Sequence, residues 1–213
     1  MVFSWTDPNQ APLRPRRKRR REQQPLRAYL TELVRHPNRA LSDIAFERPW
    51  PKGLALLAGG FLVSGAGLGV TGLPGVESGM GASLTGAAIG LGAGATTFIV
   101  LTFAFHGMAL ILEGDGGIVD FLSAMSFAML PIYAVTPAVV LRLLPDRWDG
   151  FMFFWACFAI GIWMLRLTYL SIREAHRFSG LQAGLTITGT LLATTLSAVA
   201  LFFATAFYVL ISQ

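Results

Sequence analysis

Charged residues and cysteine are scarce in this sequence, and both shortages narrow the class of protein. Only 14% of the 213 residues are Asp, Glu, Lys or Arg, whereas a soluble globular domain carries about 25%. Cys157 is the single cysteine, so the chain forms no internal disulfide and supplies no thiolate metal site. Hydrophobic residues make up 54% of the chain, and the mean hydropathy is +0.56. The composition therefore favours an integral membrane protein over a soluble domain.

The few charges are distributed unevenly along the chain. Residues 1–52 contain 12 of the 17 basic residues and 5 of the 12 acidic ones. This split predicts a basic cytoplasmic tail at 1–24, an amphipathic juxtamembrane segment at 25–52 and a membrane domain at 53–213. We expect the tail to be disordered, because its like charges repel and it has little apolar surface to bury.

Five apolar stretches of the membrane domain are long enough to cross a bilayer, which takes about 20 residues. They predict an all-α polytopic helix bundle with about five transmembrane helices, at 53–73, 84–112, 118–144, 151–170 and 184–211. Their connections place 15 basic residues on the side of the N-terminus and 2 on the other. The positive-inside rule then predicts a cytoplasmic N-terminus and a C-terminus on the opposite side. We expect a multi-pass protein of a bacterial inner membrane.

The segment 25–52 has apolar residues at helical spacing in two groups. The groups are Leu26, Tyr29, Leu30, Leu33 and Val34, then Ala40, Leu41, Ile44 and Ala45. They predict two short helices that lie on the membrane surface, with Phe46 and Trp50 near the headgroups. Packing of these helices on the membrane domain itself is an equally favoured alternative.

Small residues at four-residue spacing predict close helix packing in lipid, where backbones must approach each other to associate. The residues are Gly65 and Gly69 on the first span, and Gly86, Gly90 and Gly94 on the second. Packing within one bundle is the favoured interpretation, and self-association is the alternative. In the third span, Pro131 and Pro137 are predicted to break the backbone hydrogen-bond ladder and kink the helix.

Three ionisable residues in or near the ends of the predicted spans are candidate functional residues, because charge is costly there. His106 is expected to contact a neighbouring helix, with proton transfer as the alternative. Asp120 and Arg166 are expected to pair across two helices, or Arg166 extends to the headgroups. The histidines lack metal-ligand spacing, and we predict no metal, no cofactor and no catalytic residues.

The densest charge lies in the tail. The run is Arg16, Arg17, Lys18, Arg19, Arg20 and Arg21. Attraction to anionic headgroups suits a tail held beside a bilayer. An acidic protein partner, or a role in setting topology alone, are the alternatives. Nucleic acid is not expected as a partner, because no aromatic residues interleave with the arginines.

Several short motifs occur in the order typical of one family. A proline-led segment, HPNRAL, stands at 36–41, a glycine-rich turn, GDGG, at 114–117, a proline at 131, and a basic histidine-bearing loop at 173–183. In this layout the chain resembles the Yip-domain family of five-span membrane proteins, bacterial type. Eukaryotic members bind Rab GTPases and carry an Asp-Leu-Tyr-Gly-Pro motif before the first span. Residues 46–50 read FERPW instead, so the resemblance implies membrane residence and carries over no GTPase partner.

We therefore expect a non-enzymatic membrane protein that organises a bilayer patch or scaffolds other membrane proteins. Its expected partners are anionic lipid headgroups and other membrane proteins or further copies of itself. The first alternative is a small transporter or channel, with a path near Pro131, Pro137 and His106. The second is an accessory subunit of a larger membrane complex.

Overall fold

The computed structural model describes residues 24–70, 79–140 and 149–211. Within these ranges the chain is helical: α1 Leu26–Arg35, α2 Pro37–Glu47, α3 Trp50–Val70, α4 Met80–Ile111, α5 Ile118–Ala128, α6 Val135–Val140, α7 Asp149–His176 and α8 Gly180–Ile211, with a 3₁₀ turn at Leu130–Ala134 between α5 and α6. The predicted basic tail at 1–24, apart from its last residue, lies outside the described residues.

Among the described residues, four helical segments are long and apolar enough to cross a membrane: Trp50–Val70, Met80–Ile111, Ile118–Val139 and Phe151–His176. They correspond to the first four predicted spans, and the prediction of an all-α membrane bundle is confirmed. The fourth segment runs six residues beyond its predicted end at 170. The fifth predicted span falls on α8, a continuous helix of 32 residues, and the total of five spans stays a prediction.

Helices α1 and α2 pack on the membrane domain, the second of the two arrangements considered for them. Leu41 and Ile44 of α2 are fully buried, and α2 contacts both α5 and α7. The Tyr29 ring of α1 meets Phe127 of α5 edge-on, with 5.7 Å between ring centroids. Pro37 starts α2 at a position where its missing N–H is not needed. We call α1 and α2 together the platform, and the adjoining end of the bundle the platform end.

The predicted packing glycines lie where α3 crosses α4 within a single chain. A Cβ on Gly65 would strike the carbonyl oxygen of Gly86, and one on Gly90 would stand 2.7 Å from the Gly65 Cα and the Phe61 carbonyl oxygen. Gly69 abuts the backbone of Ala82, and Gly94 abuts the Phe61 ring. These contacts bring two backbones together over several turns, as association in lipid requires.

The third span is interrupted, but at only one of its two prolines. Pro131 lies in the 3₁₀ turn Leu130–Ala134, where the α-helical ladder stops because proline donates no hydrogen bond. Pro137 lies in the first turn of α6, which continues through it, so the predicted break at Pro137 is wrong. The backbone near the interruption is satisfied by neighbouring side chains: Ser64 Oγ donates to the Ile132 carbonyl over 2.7 Å. Tyr133 in turn donates to the Leu56 carbonyl over 2.6 Å.

The described core lies at the platform end. The largest side chains that are fully buried include Phe121, Phe127 and Met125 of α5 and Ile172 of α7. In contrast, residues 151–166 of α7 and 191–199 of α8 are mostly exposed in the chain by itself. The platform therefore covers the most deeply buried part of the described chain, while these stretches of α7 and α8 carry mostly exposed side chains.

Candidate functional site

Tyr29 and Lys52 attach the platform to the start of α3. The Tyr29 hydroxyl donates a hydrogen bond to the Glu47 carboxylate at the end of α2. Burial raises the pKa of Tyr29, and the hydrogen bond to the Glu47 carboxylate raises it further, since both disfavour a phenolate. Lys52 Nζ donates to the Gln24 carbonyl over 3.1 Å and lies 6.0 Å above the Tyr29 ring. These contacts join α1, α2 and α3 into one unit.

An ion pair joins α2 to α5 at the same end of the bundle. Arg48, the residue after α2, has a left-handed backbone with φ of 55°, and its guanidinium contacts the Asp120 carboxylate. One of these contacts joins Arg48 Nη2 to Asp120 Oδ2 over 3.2 Å. The expected pairing of Asp120 with Arg166 is therefore wrong. Arg166 is exposed on α7, whereas the end of α2 brings Arg48 directly over the first turn of α5.

His106 on α4 faces a second histidine that the sequence did not single out as a site. Its Nδ1 lies 3.4 Å from Nε2 of His176 at the end of α7. His176 is 2% exposed, and its ring lies against Phe121 and Phe178, with centroid separations of 5.3 and 5.6 Å. The two histidines are 70 residues apart in the sequence, so no short sequence motif predicts their contact. The packing of α4 against α7 brings them together.

A glycine-bearing turn encloses the buried histidine. A Cβ on Gly114 would stand 3.0 Å from His176 Nδ1, and one on Gly116 would stand 2.8 Å from it. Glycine at both positions thus lets the 112–117 turn lie directly against the imidazole. Among the described residues no group of three or more His, Cys, Asp and Glu side chains is placed to hold a metal ion. The histidine pair is therefore best described as a hydrogen-bonding contact between helices.

The remaining predicted site residues are dispersed. Trp50 begins α3 and is 43% exposed. Pro131 is buried at the interruption of the third span, and Pro137 is exposed. The predicted binding run of the tail, residues 16–21, lies outside the described residues.

A cleft of about 390 Å³ lies between α3, α4 and α5, a feature that sequence reasoning did not anticipate. Its walls are Leu54, Leu57, Ala58 and Phe61 of α3, Leu91, Ala95, Phe98, Ile99, Thr102 and Phe103 of α4, and Ile118 and Leu122 of α5. Thr102 is the single hydroxyl-bearing residue of this lining, and the other walls are hydrocarbon. The cleft is thus suited to an apolar occupant, and it lies within three of the membrane-crossing helices.

The helices, their length and their apolar surfaces define an integral membrane protein of the helical-bundle class. The Yip1 domain matches residues 31–209 of the chain. The chain belongs to the Yip1 domain family, as its motifs indicated. No curated protein and no solved structure matches it.

Proposed function

We propose that this protein is a non-enzymatic membrane protein that organises a bilayer patch or scaffolds other membrane proteins through its cytoplasmic end. The observation that carries the proposal is the attachment of the platform. Leu41 and Ile44 are fully buried against the membrane domain, and Arg48 is ion-paired to Asp120. A segment fixed in this way holds its outer surface at a constant height beside the membrane.

The outer surface of the platform end combines apolar and basic side chains. Val34, Phe46 and Trp50 are 66%, 57% and 43% exposed, and the basic residues Arg27 and Arg35 of α1 are exposed as well. Aromatic residues with basic neighbours are typical of surfaces that contact lipid headgroups. The platform thus supports contact with an anionic membrane surface in the plane of the headgroups.

The arginine run at 16–21 joins the platform through a very short connection. Four residues lie between Arg21 and Leu26, where α1 begins, so the Cα atoms of Arg21 and Leu26 are at most roughly 17 Å apart. A run this close to the platform would reach the headgroups, where each basic residue contributes about 1 kcal/mol of attraction to an anionic surface. An acidic face of a neighbouring membrane protein would be attracted by the same charges.

The test uses the full-length protein in nanodiscs of neutral lipid and measures its binding to vesicles that contain phosphatidylglycerol. Replacing residues 16–21 with glutamine should weaken binding at least roughly tenfold, because six attractions are lost. The control replaces the five arginines of the run with lysine, which keeps the charge and should keep the binding.

Two results would contradict the proposal. One is equal vesicle binding by the glutamine variant and the wild type, together with an unchanged set of proteins co-purified in native mass spectrometry. The other is loss of vesicle binding in the lysine control, since headgroup attraction depends on charge and not on the planar guanidinium.

The transporter alternative gains no support from the geometry of its expected path. His106 stacks on Phe121, with 6.3 Å between centroids, and Phe121 precedes Pro131 by ten residues. That separation is roughly 15 Å along the helix. The carbonyl of Ile132, beside Pro131, already accepts a hydrogen bond from Ser64. We therefore advance no second function.

A further inference from the structure

The cleft between α3, α4 and α5 adjoins the section in which α3 and α4 pack closely through their glycines. Far from the platform, Gly65 and Gly69 lie against Gly86 and Ala82 with backbones in contact. Phe61 ends this close section by packing its ring on Gly94. From Phe61 towards the platform, the cleft is lined by Leu54, Leu57 and Ala58 of α3 and by Ala95, Phe98 and Thr102 of α4.

The walls of the cleft form a buried floor and an exposed rim. Leu57, Phe61 and Phe98 are 4%, 9% and 5% exposed, whereas Ile99 and Phe103 on α4 are 53% and 63% exposed. Ala58 of α3 and Ala95 of α4 lie on opposite walls, and their small side chains leave the space between the two helices open. The cleft therefore opens laterally along its exposed rim on α4, and its occupant would enter from the bilayer.

We propose that this cleft binds one acyl chain of a phospholipid from the leaflet on the platform side. On α4 the cleft lining runs from Leu91 to Phe103, a distance of twelve residue rises or about 18 Å of helix. The hydrocarbon of one leaflet is about 15 Å deep, half of the bilayer core. The cleft thus has the depth that a single leaflet needs, and Phe61 closes it near the bilayer centre.

Trp50 lies one turn of α3 before Leu54, the first residue of that helix to line the cleft. Trp50 precedes Leu54 by four residues and Leu57 by seven, so all three share one face of α3. Its indole is 43% exposed, in the position where tryptophan is enriched at membrane interfaces. The bound chain would enter beside Trp50 and run along Leu54 and Leu57 towards Phe61.

The width of the cleft selects a single hydrocarbon chain over a second copy of the protein. A volume of about 390 Å³ spread over about 18 Å of helix gives a mean cross-section of about 22 Å². A helix is about 10 Å across, too wide for that space. An unbranched acyl chain fits, and it fills a void whose walls would otherwise lose their packing contacts.

Photocrosslinking tests the proposal on the full-length protein. The protein is reconstituted into vesicles of phosphatidylcholine and phosphatidylglycerol that contain a phosphatidylcholine with a diazirine at mid-chain. Labelling should concentrate on the cleft walls, residues 54–61 and 91–103. Ala58→Phe should lower that labelling roughly tenfold, because the ring occupies space that chain methylenes would fill.

Ala55→Phe is the matched control, since Ala55 lies one turn away on α3 and is exposed outside the cleft. The Ala55→Phe variant should give the same amount of crosslinking on the cleft walls as the wild type. Ala95→Phe fills the cleft from α4 and repeats the test should Ala58→Phe fail to fold. Even labelling around the lipid-facing helices in the wild type would overturn the proposal. Undiminished wall labelling in a folded cleft-filling variant, or crosslinks from these walls to a second protein copy, would do the same.

The outcome is independent of the proposed function. Neutralising residues 16–21 should leave labelling of the cleft unchanged, because the tail takes no part in this site.

Discussion

At the scale of residues, the platform end is held by polar contacts between groups far apart in sequence. Arg48 meets Asp120, His106 meets His176, and Tyr29 meets Glu47. Sequence reasoning identified His106 and Asp120 as costly polar residues of a membrane helix, but it assigned Asp120 the wrong partner. Arg166 carries the charge opposite to that of Asp120 and lies near the end of its predicted span. Arg48 contacts Asp120 because the backbone after α2 adopts a left-handed conformation at Arg48. No residue pattern predicted that conformation.

A double-mutant cycle distinguishes the two partners. Arg48→Gln and Asp120→Asn should couple by about 0.2–1 kcal/mol in detergent-solubilised protein, a modest value because the Arg48 side chain is 60% exposed and solvent screens the pair. Thermal or denaturant unfolding of the four proteins measures this coupling energy. The cycle of Arg166→Gln with Asp120→Asn should show none, and a larger coupling there than with Arg48→Gln would restore the original pairing.

At the scale of elements, the glycines decide how closely two helices approach. The four-residue spacing on α3 and α4 predicted a smooth face on each helix. The structure places those faces against each other inside one chain. Spacing by itself left open whether the faces meet within one bundle or between two copies, because both cases need the same small residues.

Two glycines on α4 give a matched comparison of this contact. Gly90→Ala should destabilise the fold by about 1–3 kcal/mol, because the new methyl group meets backbone atoms of α3 that cannot move aside. Gly92→Ala, where a Cβ meets nothing within 4 Å, should be neutral or slightly stabilising, since alanine is the better helix former. Unfolding in detergent measures both. Equal stability of the two variants would show that α3 and α4 do not pack at Gly90.

At the scale of the whole molecule, the buried core and the platform lie at one end, and α7 and α8 extend outward from it. The basic charge of the chain is concentrated in the segment that leads to this end. The positive-inside rule therefore predicts that the platform is cytoplasmic. With five crossings, the chain beyond α8 would lie on the opposite side from the turn between α7 and α8.

Cysteine labelling in intact cells tests this topology. In a Cys157→Ala background, Gln213→Cys should react with a membrane-impermeant maleimide without lysis. Ser179→Cys, in the turn before α8, should react only after lysis, because a cytoplasmic thiol is shielded by the bilayer. Labelling of the two positions from the same side would show that α8 does not cross the membrane.

The sequence by itself determined the class of protein, the helices and the family. A long apolar run satisfies its backbone in lipid by forming a helix, so the first four spans could be predicted to within about six residues. Tertiary structure alone decided the seating of the platform on α5 and α7, the pairing of Asp120 with Arg48 and the meeting of His106 with His176. Tertiary structure also decided that α3, α4 and α5 enclose a cleft. Each of these depends on which helix faces meet and at what angle, and the helical repeat of a single segment does not contain that information.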